Sequence, residues 1–311
     1  MREAVEDELQ NIVGWSGAAQ ASDSMAPKDF LCRVQRERLQ LERQSGGASA
    51  AQKMLWSTWI TGNPGTGKTR FAQLMSRYLR AYGMSDRDLY VECTASDLRG
   101  GNVVDAVKQV FAQAAGGVLF IDEAHDMNQA DADTGAVDGS MQKLQSALLQ
   151  QMDDWEGRIT VVLAGYKDLM TKLMGSSKAL ENKFPFHIHI DDYKTNELVQ
   201  IMQQFAAASG YSFEDGLPAQ LEKHLDESQD RSSFNVRSAQ AFLQRAIQDN
   251  RDRLFKAGNG EGVVSTNTLC AADFHIGGKL GTDEDNKSAL DREVEDLIGM
   301  RDAKEWYFLG L

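Results

Sequence analysis

The chain has 311 residues, of which 42% are hydrophobic and 25% charged, close to the average of folded globular proteins. That excludes a disordered tail, a fibre or a small disulfide scaffold and leaves length for one or two hydrophobic cores. Lysine and arginine total 33 against 46 acids, a formal net charge of −13 that repels a phosphate backbone, so nucleic acid is not an expected partner.

Cys32, Cys93 and Cys270 are odd in number and far apart, which suits free thiols in a reducing compartment. No run approaches the roughly 20 apolar residues of a membrane span. The opening MREAVEDELQ is acidic from its third residue, unlike a signal peptide. A soluble cytoplasmic protein without a membrane partner is expected.

The first 54 residues read as an N-terminal linker segment. From Leu55 onward short apolar runs alternate with stretches of helical period, the pattern of a parallel sheet with crossover helices. Strands are predicted at Leu55 to Ile60, Leu89 to Cys93, Val118 to Asp122, Ile159 to Gly165 and Phe186 to Ile190. Helices are predicted at Lys68 to Tyr82, Val103 to Ala114 and Ser140 to Asp154. The fold class is therefore α/β: a five-stranded parallel sheet between helices over residues 55–191.

After Asp192 the strand signal stops. Leu198, Ile201, Met202, Phe205 and Ala206 share a helical face up to Gly210. Leu221 and Leu225 mark a helix opened by Pro218, and Ala239, Phe242, Leu243, Ala246 and Ile247 form a further stripe. Residues 192–276 read as a small α-helical domain. Lys256 to Gly262 reads as a loop. Thr282 to Asp296, with seven acids and two bases, reads as a linker within a terminal segment 277–311. The opening Val5 to Trp15 has an echo in Glu293 to Met300, with Gly299 standing 285 positions after Gly14. It is either the start of a second copy of the module or a chance likeness of two acidic amphipathic segments.

Gly62-Asn63-Pro64-Gly65-Thr66-Gly67-Lys68-Thr69 satisfies G-x-x-x-x-G-K-[ST] after a predicted strand and at the start of a predicted helix. Glycines let successive N–H groups turn inward around phosphates, and the helix N-terminus adds about half a positive charge. Lys68 is expected to meet the β- and γ-phosphates and Thr69 to hold Mg²⁺. The second element is the buried strand Val118 to Ile121 with Asp122 and Glu123 at its tip, about fifty residues beyond Lys68. Ligands of open α/β sheets sit at that edge. Asp122 suits the metal's water shell, and Glu123 suits the general base acting on the attacking water.

Asp122-Glu123-Ala124-His125 also spells a helicase box, but one core and excess acid argue against a helicase. His125 reads as a locally packing loop residue. His187 and His189 share a strand face without a third ligand at metal spacing.

Together, GNPGTGKT, the string Gly116 to Ala124, the strand Val161 to Tyr166 and the stretch Asn235-Val236-Arg237 resemble the AAA+ ATPases of the CbbX family, which includes red-type rubisco activase. The resemblance runs from about Leu9 to Phe274. It implies a P-loop αβα sandwich with a helical lid over 192–276, and ATP with Mg²⁺ bound by Asn63, Pro64, Gly65, Thr66, Gly67, Lys68, Thr69 and Asp122. It also implies that Ile12, Val13 and Gly14 pack against adenine, that Arg237 is the lid's γ-phosphate sensor, and that Tyr166 takes the place of a polar sensor. A hexameric ring remodelling a protein client is implied as well.

Two departures stand out. In the Leu180 to Pro185 segment the family carries two arginines, one of them the finger that reaches a neighbour's γ-phosphate. Here Glu181 and Lys183 stand in their places. Such a finger is worth roughly 10³ to 10⁵ in rate, about 4 to 7 kcal/mol of barrier, and lysine lacks its planar fork. The family's pore loop carries an aromatic, whereas Asp97 to Val103 is shorter and has none. Two readings follow: a remodelling ATPase with Glu123, Lys68, Arg237 and Lys183 as its catalytic set, or a degenerate, weakly hydrolysing nucleotide-binding module that completes a ring or tandem array.

Overall fold

The sheet forms because five short apolar segments end at one edge and each of the first four is followed by a helix that buries an apolar stripe against them. In the computed structural model, residues 1–15, 24–44, 56–99, 101–128, 139–227, 234–257 and 267–276 are described. The chain divides into two units, Met1–Asp192 and Tyr193–Leu311.

In the first unit β1 (Thr58–Thr61), β2 (Tyr90–Thr94), β3 (Val118–Asp122), β4 (Thr160–Gly165) and β5 (Phe186–His189) pair in the order β2-β3-β4-β1-β5, all parallel. β1 starts at Thr58, later than predicted, because its ladder begins where Val162 and Phe186 stand opposite. Side chains alternate between faces. Leu119, Ile121, Val161 and Leu163 belong to one core with α4 (Val103–Gln113), α5 (Gly139–Asp154), α6 (Lys167–Ser176) and α7 (Lys178–Lys183). α3 (Lys68–Ala81) packs beside β3 and carries α1 (Arg2–Asn11) and α2 (Pro27–Gln44).

Those two N-terminal helices replace the linker that the sequence suggested. α1 buries only Val5 and Leu9, and Glu8 binds both Arg70 and Arg77 of α3, the latter at 2.7 Å. Phe30 of α2 is fully buried and meets Trp56, Phe71 and Phe186 edge-on at centroid distances of 5.4 to 6.1 Å. Met25 adds a single bridge to the free edge of β5. Polar residues dominate both helices, so their stripes are too thin to read without the surface they cover.

The second unit packs α8 (Thr195–Ala208), α9 (Leu217–Glu227) and α10 (Val236–Ala257) around Leu198, Met202, Leu221, Leu225, Ala239 and Leu243. Gly210, at φ 80°, lets Tyr211 N–H return to the Ala206 carbonyl at 2.8 Å and stop α8. The strand signal does not end at Asp192: β6 (Ser212–Phe213) and β7 (Thr268–Leu269) form a short parallel pair. α10 runs to Ala257, and the rest of the loop read at Lys256 to Gly262 lies outside the described residues, as do Thr282 to Asp296 and the echo near Gly299.

Asp273 ties this unit together. Its fully buried carboxylate accepts from Arg253 at 2.7 and 3.1 Å, from Asn250 at 3.0 Å and from the Cys270 amide at 2.9 Å. Burial pushes its pKa up, but Arg253 and the Cys270 amide outweigh that and hold it below the ordinary value. The contribution is thus complete above about pH 4 and is lost as pH falls through the lowered pKa. Asp273→Ala should cost about 2 kcal/mol, below the range for a fully buried pair because Arg253 is partly exposed. Thermal unfolding at pH 7 and pH 3 checks this: the gap between wild type and variant should shrink at the lower pH.

Candidate nucleotide-binding site

β1 ends at Thr61 and the chain turns through Gly62 to Gly67 into α3. Gly65 and Gly67 have φ 75° and 97°, backbone open to glycine at little cost. Gly67 caps α3 and has no side chain to bond the first amides of the helix, the groups that cradle phosphate at helix N-termini. A Cβ on Gly62 would sit 2.7 Å from the Ile190 carbonyl oxygen and 2.8 Å from Thr66 Oγ1. Thr66 is buried and donates to the Asn63 carbonyl at 2.9 Å.

Lys68 Nζ donates to the Gly62 and Asn63 carbonyls, both at 2.9 Å, and lies 6.0 Å from the Tyr166 ring centroid. The ammonium therefore closes the loop onto itself in the position from which it can turn to an anion. Asn63 Nδ2 donates to Asp192 Oδ2 at 2.8 Å, fastening the loop to the stretch after β5.

The register places the other groups at the same sheet edge. Thr61 stands opposite Gly165, and Asp122 opposite Thr94. Asp122 Oδ1 accepts the Glu123 amide at 2.9 Å, and Glu123 is exposed with φ 50°. A left-handed non-glycine residue costs of order 1 to 3 kcal/mol, and such strain concentrates at functional positions. Thr69, in the first turn of α3, and Asp122, the last residue of β3, both carry oxygen, the donor type that suits Mg²⁺.

Sequence reasoning missed the brace beneath the loop. The Thr61 hydroxyl meets His187 Nε2 at 2.9 Å and His189 Nδ1 at 2.8 Å, and Trp59 stacks on His187 at 3.5 Å. The alternation of His187 and His189 was legible, but the register that brings both to Thr61 was not. Burial lowers the His189 pKa despite Asp191 nearby.

Other expected residues stand on other elements. Ile12, Val13 and Gly14 are half-buried and lead from α1 to Trp15, whose ring meets Phe71 in the first turn of α3 at 5.6 Å. Arg237 is exposed in the first turn of α10, in the second unit. Glu181 is exposed, whereas Lys183 pairs with Asp153 of its own chain at 2.5 Å. The Asp97 to Val103 segment opens as a tight turn. Thr94 donates twice to Asp97, lowering that carboxyl's pKa, and Asn102 caps α4.

Residues 58–192 match the ATPase family associated with various cellular activities (AAA), and residues 194–287 match the AAA lid domain. Protein CfxQ of Xanthobacter flavus is 33% identical over 222 residues, 69% of this chain and 68% of that protein. The chain is an AAA ATPase of the CbbX/CfxQ type. A chloroplastic ribulose bisphosphate carboxylase/oxygenase activase of Cyanidioschyzon merolae is 31% identical over 226 residues, 69% of this chain and 72% of that protein. The FIGL-1 AAA domain in complex with ADP shares the fold at TM-score 0.53 and 14% identity, covering 94% of this chain and 97% of that one. Family membership implies nucleotide binding and an ATPase, in keeping with the cradle geometry. Among the described residues no helix is long and apolar enough to cross a membrane.

Gly62→Ala should cost about 1 to 3 kcal/mol, because the added methyl meets backbone oxygen and a buried hydroxyl. Its expected signature is a lower melting temperature together with weaker binding of a fluorescent ATP analogue, measured by anisotropy.

Proposed function

We propose that this AAA ATPase binds Mg-ATP at Gly62 to Thr69 and hydrolyses it to remodel a protein partner within an oligomeric ring, as a soluble cytoplasmic protein. The observation that carries the reading is the left-handed pair Gly65 and Gly67 with Lys68 folded onto the loop, at the sheet edge where Asp122 and Glu123 also end.

On this reading the loop amides and the N-terminus of α3 hold the phosphates, and Lys68 exchanges its carbonyl partners for phosphate oxygens. Thr69 and Asp122 hold Mg²⁺, which when bound neutralises phosphate charge. Glu123, exposed at the strand tip, takes a proton from the attacking water. Ile12, Val13 and Gly14 are proposed to flank adenine. Arg237 is proposed as the lid's nucleotide-sensing group, on the family resemblance alone.

A second reading, a weakly hydrolysing module, is favoured by the Lys183–Asp153 pair, which occupies the cation standing where the family carries an arginine. Isothermal titration calorimetry and steady-state turnover separate the readings. Lys68→Ala should abolish Mg-ATP binding, and Glu123→Gln should keep binding while lowering turnover at least a hundredfold. Turnover undetectable in wild type but restored tenfold or more by Lys183→Arg would favour the degenerate module. Absence of any heat with Mg-ATP would reject both.

A further inference from the structure

Three residues beside the proposed catalytic acids are left without a role by that mechanism: His125, Gly165 and Tyr166. His125 lies in the short turn Ala124–Asn128 that follows β3, with Ala124 and Met127 fully buried beside it. Its side chain is 9% exposed, and Nδ1 is buried without a hydrogen-bond partner among the described residues. Nε2 is 3.7 Å from Asp126 Oδ1, too long for a hydrogen bond. The imidazole is therefore held by shape, an unusual position for a group whose buried nitrogen forfeits a bond.

The shape is specific. A Cβ on Gly165 would lie 2.6 Å from His125 Nδ1 and 2.9 Å from both Cγ and Sδ of Met170, so the ring, in closest approach, shares with that thioether the space glycine leaves. The ring then meets Tyr166 edge-on, with centroids 5.0 Å apart and planes at 64°. Tyr166 in turn faces Lys68 Nζ at 6.0 Å. At the other end, the turn carrying His125 begins with Glu123 at φ 50°, whose carbonyl accepts the Asp126 amide at 2.9 Å. A chain of contacts thus joins the strained acid, the end of β4 and the phosphate-loop lysine.

We propose that His125 is a positioning residue: its ring, keyed into the space above Gly165, holds the Glu123 turn and the Tyr166 ring in fixed relation through packing and not through a ring nitrogen. The inference rests on the ATPase reading for its consequence, but not for the contact itself.

Two measurements on the full chain test it. The first is a thermal double-mutant cycle of Gly165→Ala and His125→Ala, which needs no nucleotide. The methyl at position 165 should lower the melting temperature less once the imidazole is gone, with only the Met170 part of the clash remaining, so the double variant should be more stable than the sum of the single losses. Additive losses would overturn the keyed contact. The second is single-turnover hydrolysis with protein in excess, paired with calorimetric Mg-ATP affinity. His125→Ala should slow the chemical step at least tenfold with affinity within threefold of wild type. His125→Phe, which keeps an aromatic edge without nitrogens, should recover most of the rate, whereas His125→Gln should not. Equal loss of rate and affinity, or a rate recovered by glutamine but not by phenylalanine, would overturn the positioning role. Failure of wild type to bind Mg-ATP would instead count against the ATPase reading, with the thermal cycle still deciding the contact.

Discussion

Parallel pairing forces every strand of a sheet to finish at the same edge, and in this chain that constraint sets up the site. β1 lies inside the sheet, hydrogen-bonded to β4 and β5, so the turn after Thr61 opens between the ends of both neighbours. One neighbour brings Gly165 and Tyr166, and the other brings His187 and His189 under the loop. β3, next to β4, delivers Asp122 and Glu123. Anion-binding amides and carboxylates are thus brought together by backbone hydrogen bonding before any side-chain contact is considered.

The N-terminal helices add a different kind of support. α3 begins at the phosphate loop, and its other faces are covered by α1 through Glu8, Arg70 and Arg77 and by an aromatic group around Phe30 and Phe71. Trp15 reaches the same first turn. The helix whose N-terminus is proposed to hold phosphates is in this way fixed along its length by ion pairs and apolar packing, so its dipole stays aimed at the loop.

The GNPGTGKT run, the apolar strand ending in Asp-Glu and the five alternating segments were legible because each is local: a pattern of glycines or a stripe of apolar residues needs no knowledge of its partner. The ends of β1 and β5 were less so, because ladders stop where neighbours stop. α1 and α2 were not legible, since charged residues outnumber the few that are buried. The β6 and β7 pair, two residues each, is too short to leave a period. His125 read as a packing residue, but nothing in the letters tells that its ring takes the space that Gly165 leaves.

The sequence by itself determined the α/β class, the phosphate loop, the acids at the strand tip and the helical unit beyond Asp192, because residue type and spacing alone dictate those local conformations. Tertiary structure decided which distant groups meet: Lys183 with Asp153, Thr61 with two histidines, Asn63 with Asp192, and His125 with Gly165. Such meetings depend on strand register and helix packing, which arise from burial summed over the whole core and are written in no single segment.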